Sequence, residues 1–169
     1  MTAVDESSVP AGAGKCTRGQ TPVGEATRAC LIRDLTLPHL PYADAVVAAL
    51  DAAGVPPAVV ESGLRDLRAP VLFVRAVWPA GSEVLAEGVR DRGLTLAWSH
   101  VTGWSVHDAD GTAALLGLDV IAAPELVADA ARCCAGHGVD AARRLPPASG
   151  RWADAVYLDI AAARVEERS

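Results

Sequence analysis

The sequence predicts an α+β domain: an antiparallel sheet of about five short strands with helices packed on one face, plus a C-terminal amphipathic helix. Three observations lead there. Short apolar runs of strand length are separated by Pro, Gly and Asp-Gly turn residues, so consecutive strands fold back on one another. Apolar residues spaced three and four apart form amphipathic runs on either side of those strands. Aromatic residues are few, four Trp, two Tyr and one Phe in 169 residues, while alanine is abundant. The core must therefore be packed from small side chains around a handful of Trp, Val and Leu anchors.

Residues 1–37 carry Gly, Ala, Thr, Ser and Pro with scattered charge and no sustained period. They are expected to form a disordered or weakly ordered tail, with at most a short helical turn near residues 26–34. The α+β domain is expected over residues 38–138, and a linker with the C-terminal helix over residues 139–169. Pro41 suits a first helical turn, and Tyr42, Val46, Ala49, Leu50 and Ala53 follow at helical spacing until Gly54, beyond which Pro56 and Pro57 forbid continuation. Residues 59–63 and 71–78 read as strands. In the second, Leu72, Val74, Ala76 and Trp78 share the face expected to be buried, and Arg75 takes the other.

Ser82, with Glu83 and Glu87, is expected to open a short helix through Leu85 and Val89 to Arg92, stopped by Gly93. Leu94, Leu96 and Trp98 alternate, as do Trp104 and Val106, which predicts a hairpin around residues 99–103 with two tryptophans on its apolar side. Asp108-Ala109-Asp110-Gly111 is turn chemistry, and residues 114–118 follow as the next strand. Pro124 opens a helix with Leu126, Ala130, Cys133, Cys134 and His137 on one broad side, ending among Gly136 and Gly138. Residues 145–150 form a Pro-rich linker, after which Trp152, Val156, Ile160 and Ala163 space a last helix with one apolar stripe.

Four of these segments carry a resemblance. The helix end Ala52-Ala53-Gly54, the strand Leu96-Ala97-Trp98, the pair Gly103-Trp104 and the run Ala123-Pro124-Glu125-Leu126-Val127-Ala128 resemble the actinobacterial domain-of-unknown-function 6292 family over residues 41–138. That resemblance implies no reaction and no catalytic residues. The helix, sheet, helix order is also similar to the small secretion-chaperone-like α+β fold, which binds protein partners; fold alone does not fix function.

The formal net charge is −6. Both end segments are balanced, so the imbalance falls on residues 38–138, with 12 acids against 6 bases and no compact basic stripe. A phosphate backbone is repelled by such a domain, and nucleic acid is not an expected partner. Lys15 is the only lysine among 15 basic residues, which together with the alanine content fits GC-rich, actinobacterial-type coding. The first residues lack the basic and apolar regions of a signal peptide, and no apolar run reaches the roughly 18 residues of a membrane span. The cytoplasm is the expected compartment, with Cys16, Cys30, Cys133 and Cys134 as thiols.

Several short patterns invite chemical readings. Gly12-Ala13-Gly14-Lys15-Cys16-Thr17 superficially resembles a phosphate-binding loop. It has Val9 where the first Gly belongs, Cys16 after the lysine and no preceding buried strand. Cys133 and His137, four apart on a helix, could supply two zinc ligands, but they need at least one more, from among His39, His100 and His107. Ser99 and His100 are adjacent in a strand and point to opposite faces, whereas Ser105 and His107 can share a face with Asp108 at the turn. No nucleophile elbow accompanies them. Trp78, Trp98 and Trp104 are expected to be core anchors.

These readings favour a non-enzymatic, cytoplasmic protein-interaction or regulatory module. Its partner would be another protein or a second copy of the chain, met through Trp152, Val156 and Ile160. No cofactor is expected. The alternative is a small enzyme or a metal- or ligand-binding protein using the hairpin residues His100 and His107 with Cys133 and His137.

Overall fold

The computed structural model describes residues 37–66 and 69–167. The expectations for residues 1–36, including the segment around Lys15, lie outside the described residues. The chain begins with α1 (Leu40–Ala52), in which Pro41 occupies the first turn and Tyr42, Ala43, Val46 and Leu50 are buried. Its end is closed by a paired cap: Gly54, at φ +76°, donates to the Asp51 carbonyl, and Val55 donates to that of Leu50. The left-handed backbone at Gly54 permits this geometry, and Val55 and Leu50 are both buried in the core, as often accompanies such a cap.

Five antiparallel strands then form a simple meander, β1 (Val59–Arg65), β2 (Val71–Trp78), β3 (Leu94–Ser99), β4 (Gly103–His107) and β5 (Ala113–Leu115). Each strand sits beside its sequence neighbour; three of the connections are of hairpin length, whereas residues 79–93 between β2 and β3 include a helical turn. Burial alternates strictly along β2, and Leu72, Val74, Ala76 and Trp78 are the inward residues. The registers place Trp98 opposite Val74 and Trp104 opposite Trp98, so the tryptophans meet on that face. The predicted α+β class with an antiparallel five-stranded sheet is the observed one.

The helical segment expected over residues 82–92 is much shorter: α2 spans only Glu87–Arg90. Ala86 is extended, at ψ 155°, and its N–H is spent on the Ala135 carbonyl of the facing helix instead of the preceding turn. That carbonyl is one of the orphan acceptors at a helix end, so the broken segment satisfies its neighbour. The facing helix, α3 (Pro124–His137), packs on α1 and on β3 and β4. Its buried side is Val127, Ala128, Ala130, Ala131, Cys134 and Ala135. This is rotated from the predicted side: Leu126 and Cys133 are half-buried and His137 is exposed.

The core does not stop at Gly138. Short α4 (Val139–Ala142) buries Val139, Ala141 and Ala142, and α5 (Ala155–Glu166) adds Ala155 and Leu158. The Pro-rich stretch between them is stitched to the chain before α3, with Ala148 donating to Gly117, Ala123 to Gly150, and Trp152 to Ile121. At the centre, Tyr42 Oη donates to the Ala122 carbonyl at 2.8 Å and accepts from Trp104 Nε1 at 3.0 Å. Trp78 and Trp98 also spend their indole N–H groups, on the carbonyls of Pro56 and Val120. Four large rings are thereby buried without an unpaired donor.

Candidate functional site

The C-terminal segment divides its apolar residues between two destinations. Trp152 precedes α5 and is held by its backbone bond to Ile121, with its ring 5.1 Å from that of Tyr42, half-buried against the core. On α5 itself Ala155 and Leu158 are buried and Ala161, Ala162 and Val165 are partly covered. Val156, Tyr157 and Ile160 are 62%, 76% and 49% exposed. At 100° per residue these three span about 100° of arc, on the side of the helix opposite Leu158 and Ala162. The stripe read from the sequence is therefore split: Trp152 turns inward, whereas Val156 and Ile160 face solvent together with Tyr157. Arg151 anchors this arrangement, with two hydrogen bonds to Asp159 at 2.7 and 2.9 Å and one to Asp119 at 3.3 Å.

The chemistry-bearing residues of the hairpin separate. Ser105 Oγ and His107 Nε2 lie 2.8 Å apart on the outer face of the sheet, as their shared parity predicts. Asp108 does not join them. Its Oδ1 accepts the N–H groups of Asp110 and Thr112, and its Oδ2 faces Arg92 at 3.6 Å, so it builds the turn instead. His100 lies at the other end of the hairpin, roughly 16 Å away along the strand. Its ring is buried, with Nδ1 accepting the Leu72 N–H at 3.1 Å and Nε2 3.7 Å from Glu166 Oε1 of α5. Ser99 Oγ bonds Thr102 and closes the loop.

Cys133 and His137 sit in the helical layer, with the sheet between them and His107. Among the described residues no group of three or more His, Cys, Asp or Glu is placed to hold a metal ion. Cys134 is fully buried, and burial, with Cys133 beside it, pushes its thiol up to about 11.

Sequence reasoning missed two features. His39, just before α1, is completely buried and stacks on Trp98 with ring centroids 5.9 Å apart. Among the described residues neither ring nitrogen has a hydrogen bond of good geometry, the Phe73 backbone being its nearest polar influence. Burial lowers its pKa to about 4, nearby His100 acting in the same direction and the Phe73 backbone opposing it. The second feature is β1, one of the two sheet edges among the described residues, β5 being the other. Val60 and Leu64 point to the helix-covered side of the sheet, yet remain 41% and 43% exposed, and no described helix reaches over them. Alternation alone marks both as inward; only the position of α1 shows that they stay uncovered.

On the outer face a shallow cleft of about 620 Å³ gathers Arg65, Arg75, Arg92, Thr95 and His107. Its arginines are already engaged: Arg75 with Glu61 at 3.2 Å, Arg65 over the Phe73 ring at 4.1 Å, and Arg92 with Asp108. No described helix is both long and apolar enough to cross a membrane. No family model, no curated protein and no solved structure matches this chain, so the family resemblance rests on the four segments that carry it.

Proposed function

We propose that this chain is a non-enzymatic protein-interaction or regulatory module, working in the cytoplasm, whose partner is another protein or a second copy of itself. The observation that carries the reading is the outward side of α5. A helix of 12 residues presents Val156, Tyr157 and Ile160 to solvent together, on a segment clamped in place by Arg151. Exposed large apolar side chains are ordinary when scattered, but three on one helical arc form the kind of surface a partner covers. The clamp matters because a preordered helix loses less conformational entropy on docking. Unpaired Cys133 and Cys134 are consistent with a reducing compartment.

The test is the double change Val156→Ser and Ile160→Ser. Both side chains are exposed, so the melting curve and circular dichroism should match those of the wild type. Association made through α5, read as capture of a partner from the native host or as assembly beyond a dimer, should be lost. Assembly and capture identical to wild type would overturn the reading.

A further inference from the structure

We propose that β1 is a self-docking edge: two copies of the chain pair antiparallel through Val59–Arg65 around a two-fold axis at Ser62, joining their sheets into one. The proposal rests on the interaction-module reading and names the partner, a second copy, at a surface separate from α5.

An edge strand offers a row of unpaired backbone donors and acceptors, and stable monomers blunt it with proline, charged side chains and above all lysine, a bulge or a covering segment; the charges of β1, Glu61 and Arg65, lie on its outer face and are engaged with Arg75 and Phe73. β1 is seven residues long, Val-Val-Glu-Ser-Gly-Leu-Arg, pairs with β2 without a bulge and contains neither proline nor lysine. Its inward-parity residues Val60 and Leu64 are apolar and uncovered.

A two-fold axis perpendicular to the sheet keeps each face on its own side, so it must pass through a residue. Centred on Ser62, it pairs all seven residues. Val60 meets the partner's Leu64 on the inner side, and both copies of this contact cover the apolar surface that α1 leaves bare. Val60 also lines a groove of about 460 Å³ with Val47, Ala48, Pro56 and Pro57, beside the carboxylates of Asp44 and Asp51, and its apolar wall would receive the partner's Leu64. On the outer side Glu61 falls opposite the partner's Gly63, which has no side chain to obstruct it; its diagonal neighbours are the partner's Arg65 and the partner's Glu61, an attraction and a repulsion that offset, and Glu61 keeps its own pair with Arg75.

Neighbouring registers are poorer. A centre at Glu61 sets that carboxylate against itself, and a centre at Gly63, although it puts Glu61 opposite the partner's Arg65, breaks both apolar contacts by setting Leu64 opposite the partner's Ser62 and Val60 opposite the partner's Asp66. The pairing is thus specified by the strand's own order of residues, as the burial pattern of a sheet demands.

Sedimentation velocity over a range of concentrations tests it on the full chain. A concentration-dependent dimer is expected. The change Val60→Lys with Leu64→Lys should abolish it without altering circular dichroism, because both side chains are exposed in the single chain. Ser62→Cys should form a disulfide-linked dimer on mild oxidation, since directly opposed Cβ atoms lie about 4.5–5.5 Å apart. Wild type treated alike controls for the native thiols. The Val156→Ser, Ile160→Ser variant should still dimerise. A wild type that is monomeric throughout overturns the proposal, as does a dimer that survives both lysines or one that Ser62→Cys fails to cross-link. A monomer that still captures a protein through α5 removes this inference and leaves the interaction reading standing.

Discussion

Trp98 shows how one side chain can carry much of a small core. Its ring contacts Tyr42, Trp104 and His39, and its indole N–H is spent on the Val120 carbonyl. Trp98→Ala is expected to cost about 3–5 kcal/mol, read from urea denaturation. His39 beneath it predicts a pH response. Its folded pKa, about 4, lies below the ordinary 6.5, so the unfolded chain takes up the proton first as pH falls. The stability this neutral ring supplies is complete above about pH 6.5 and is lost as pH drops towards 4, on the order of 3 kcal/mol by linkage. Replacing His39 with Phe should flatten that acid slope relative to wild type in parallel denaturation series. Gly93 is the third sensitive position. Its φ is +65°, and a Cβ there would lie 2.8 Å from the Trp78 carbonyl oxygen. Gly93→Ala should cost about 1–3 kcal/mol through backbone strain.

Among the elements, α5 is the one whose order depends most on side chains. It makes little backbone-to-backbone approach to the sheet, buries only Ala155 and Leu158 fully, and relies on Arg151 to tie Asp159 to Asp119. Isolated helices of this length are marginal in water. These groups are partly exposed, so the pairs together contribute about 1 kcal/mol or less. Arg151→Met should accelerate amide hydrogen exchange within residues 155–166 while leaving α1 and β2–β4 as protected as before. Uniform exchange across α5 and the strands in both proteins would show that the helix opens only with the whole fold.

The whole molecule is one continuous core drawn from both ends of the described chain. Tyr42 reaches 80 residues along the sequence to Ala122 and touches Trp152, and Leu158 is fully buried. A chain ended at residue 142 should therefore lose Trp152, Ala155 and Leu158 from that core and melt on the order of 10 °C or more lower, as a loss of several kcal/mol implies. A cooperative melt at the wild-type temperature would show instead that residues 143–169 are an appendage.

Much of this architecture was legible from local pattern. The alternation Leu72-Val74-Ala76-Trp78, the two-tryptophan hairpin, the stop at Gly54 and the turn at Asp108 all follow from chain geometry within a few residues, which a sequence states directly. The same parity placed Ser105 beside His107. What the sequence could not state is which neighbour arrives from far along the chain. The early part of the expected helix at residues 82–92 unravels because Ala135, some 50 residues away, takes the Ala86 N–H. Trp152 leaves the predicted α5 stripe because Ile121 and Tyr42 hold it, so Val156 and Ile160 are left to solvent with Tyr157. His39 is buried, and Val60 and Leu64 are bare, only because of where α1 and Trp98 lie relative to the sheet. Periodicity within a segment sets which side chains share a face, while coverage of that face is set by long-range packing, and here coverage decides which surface remains free for a partner.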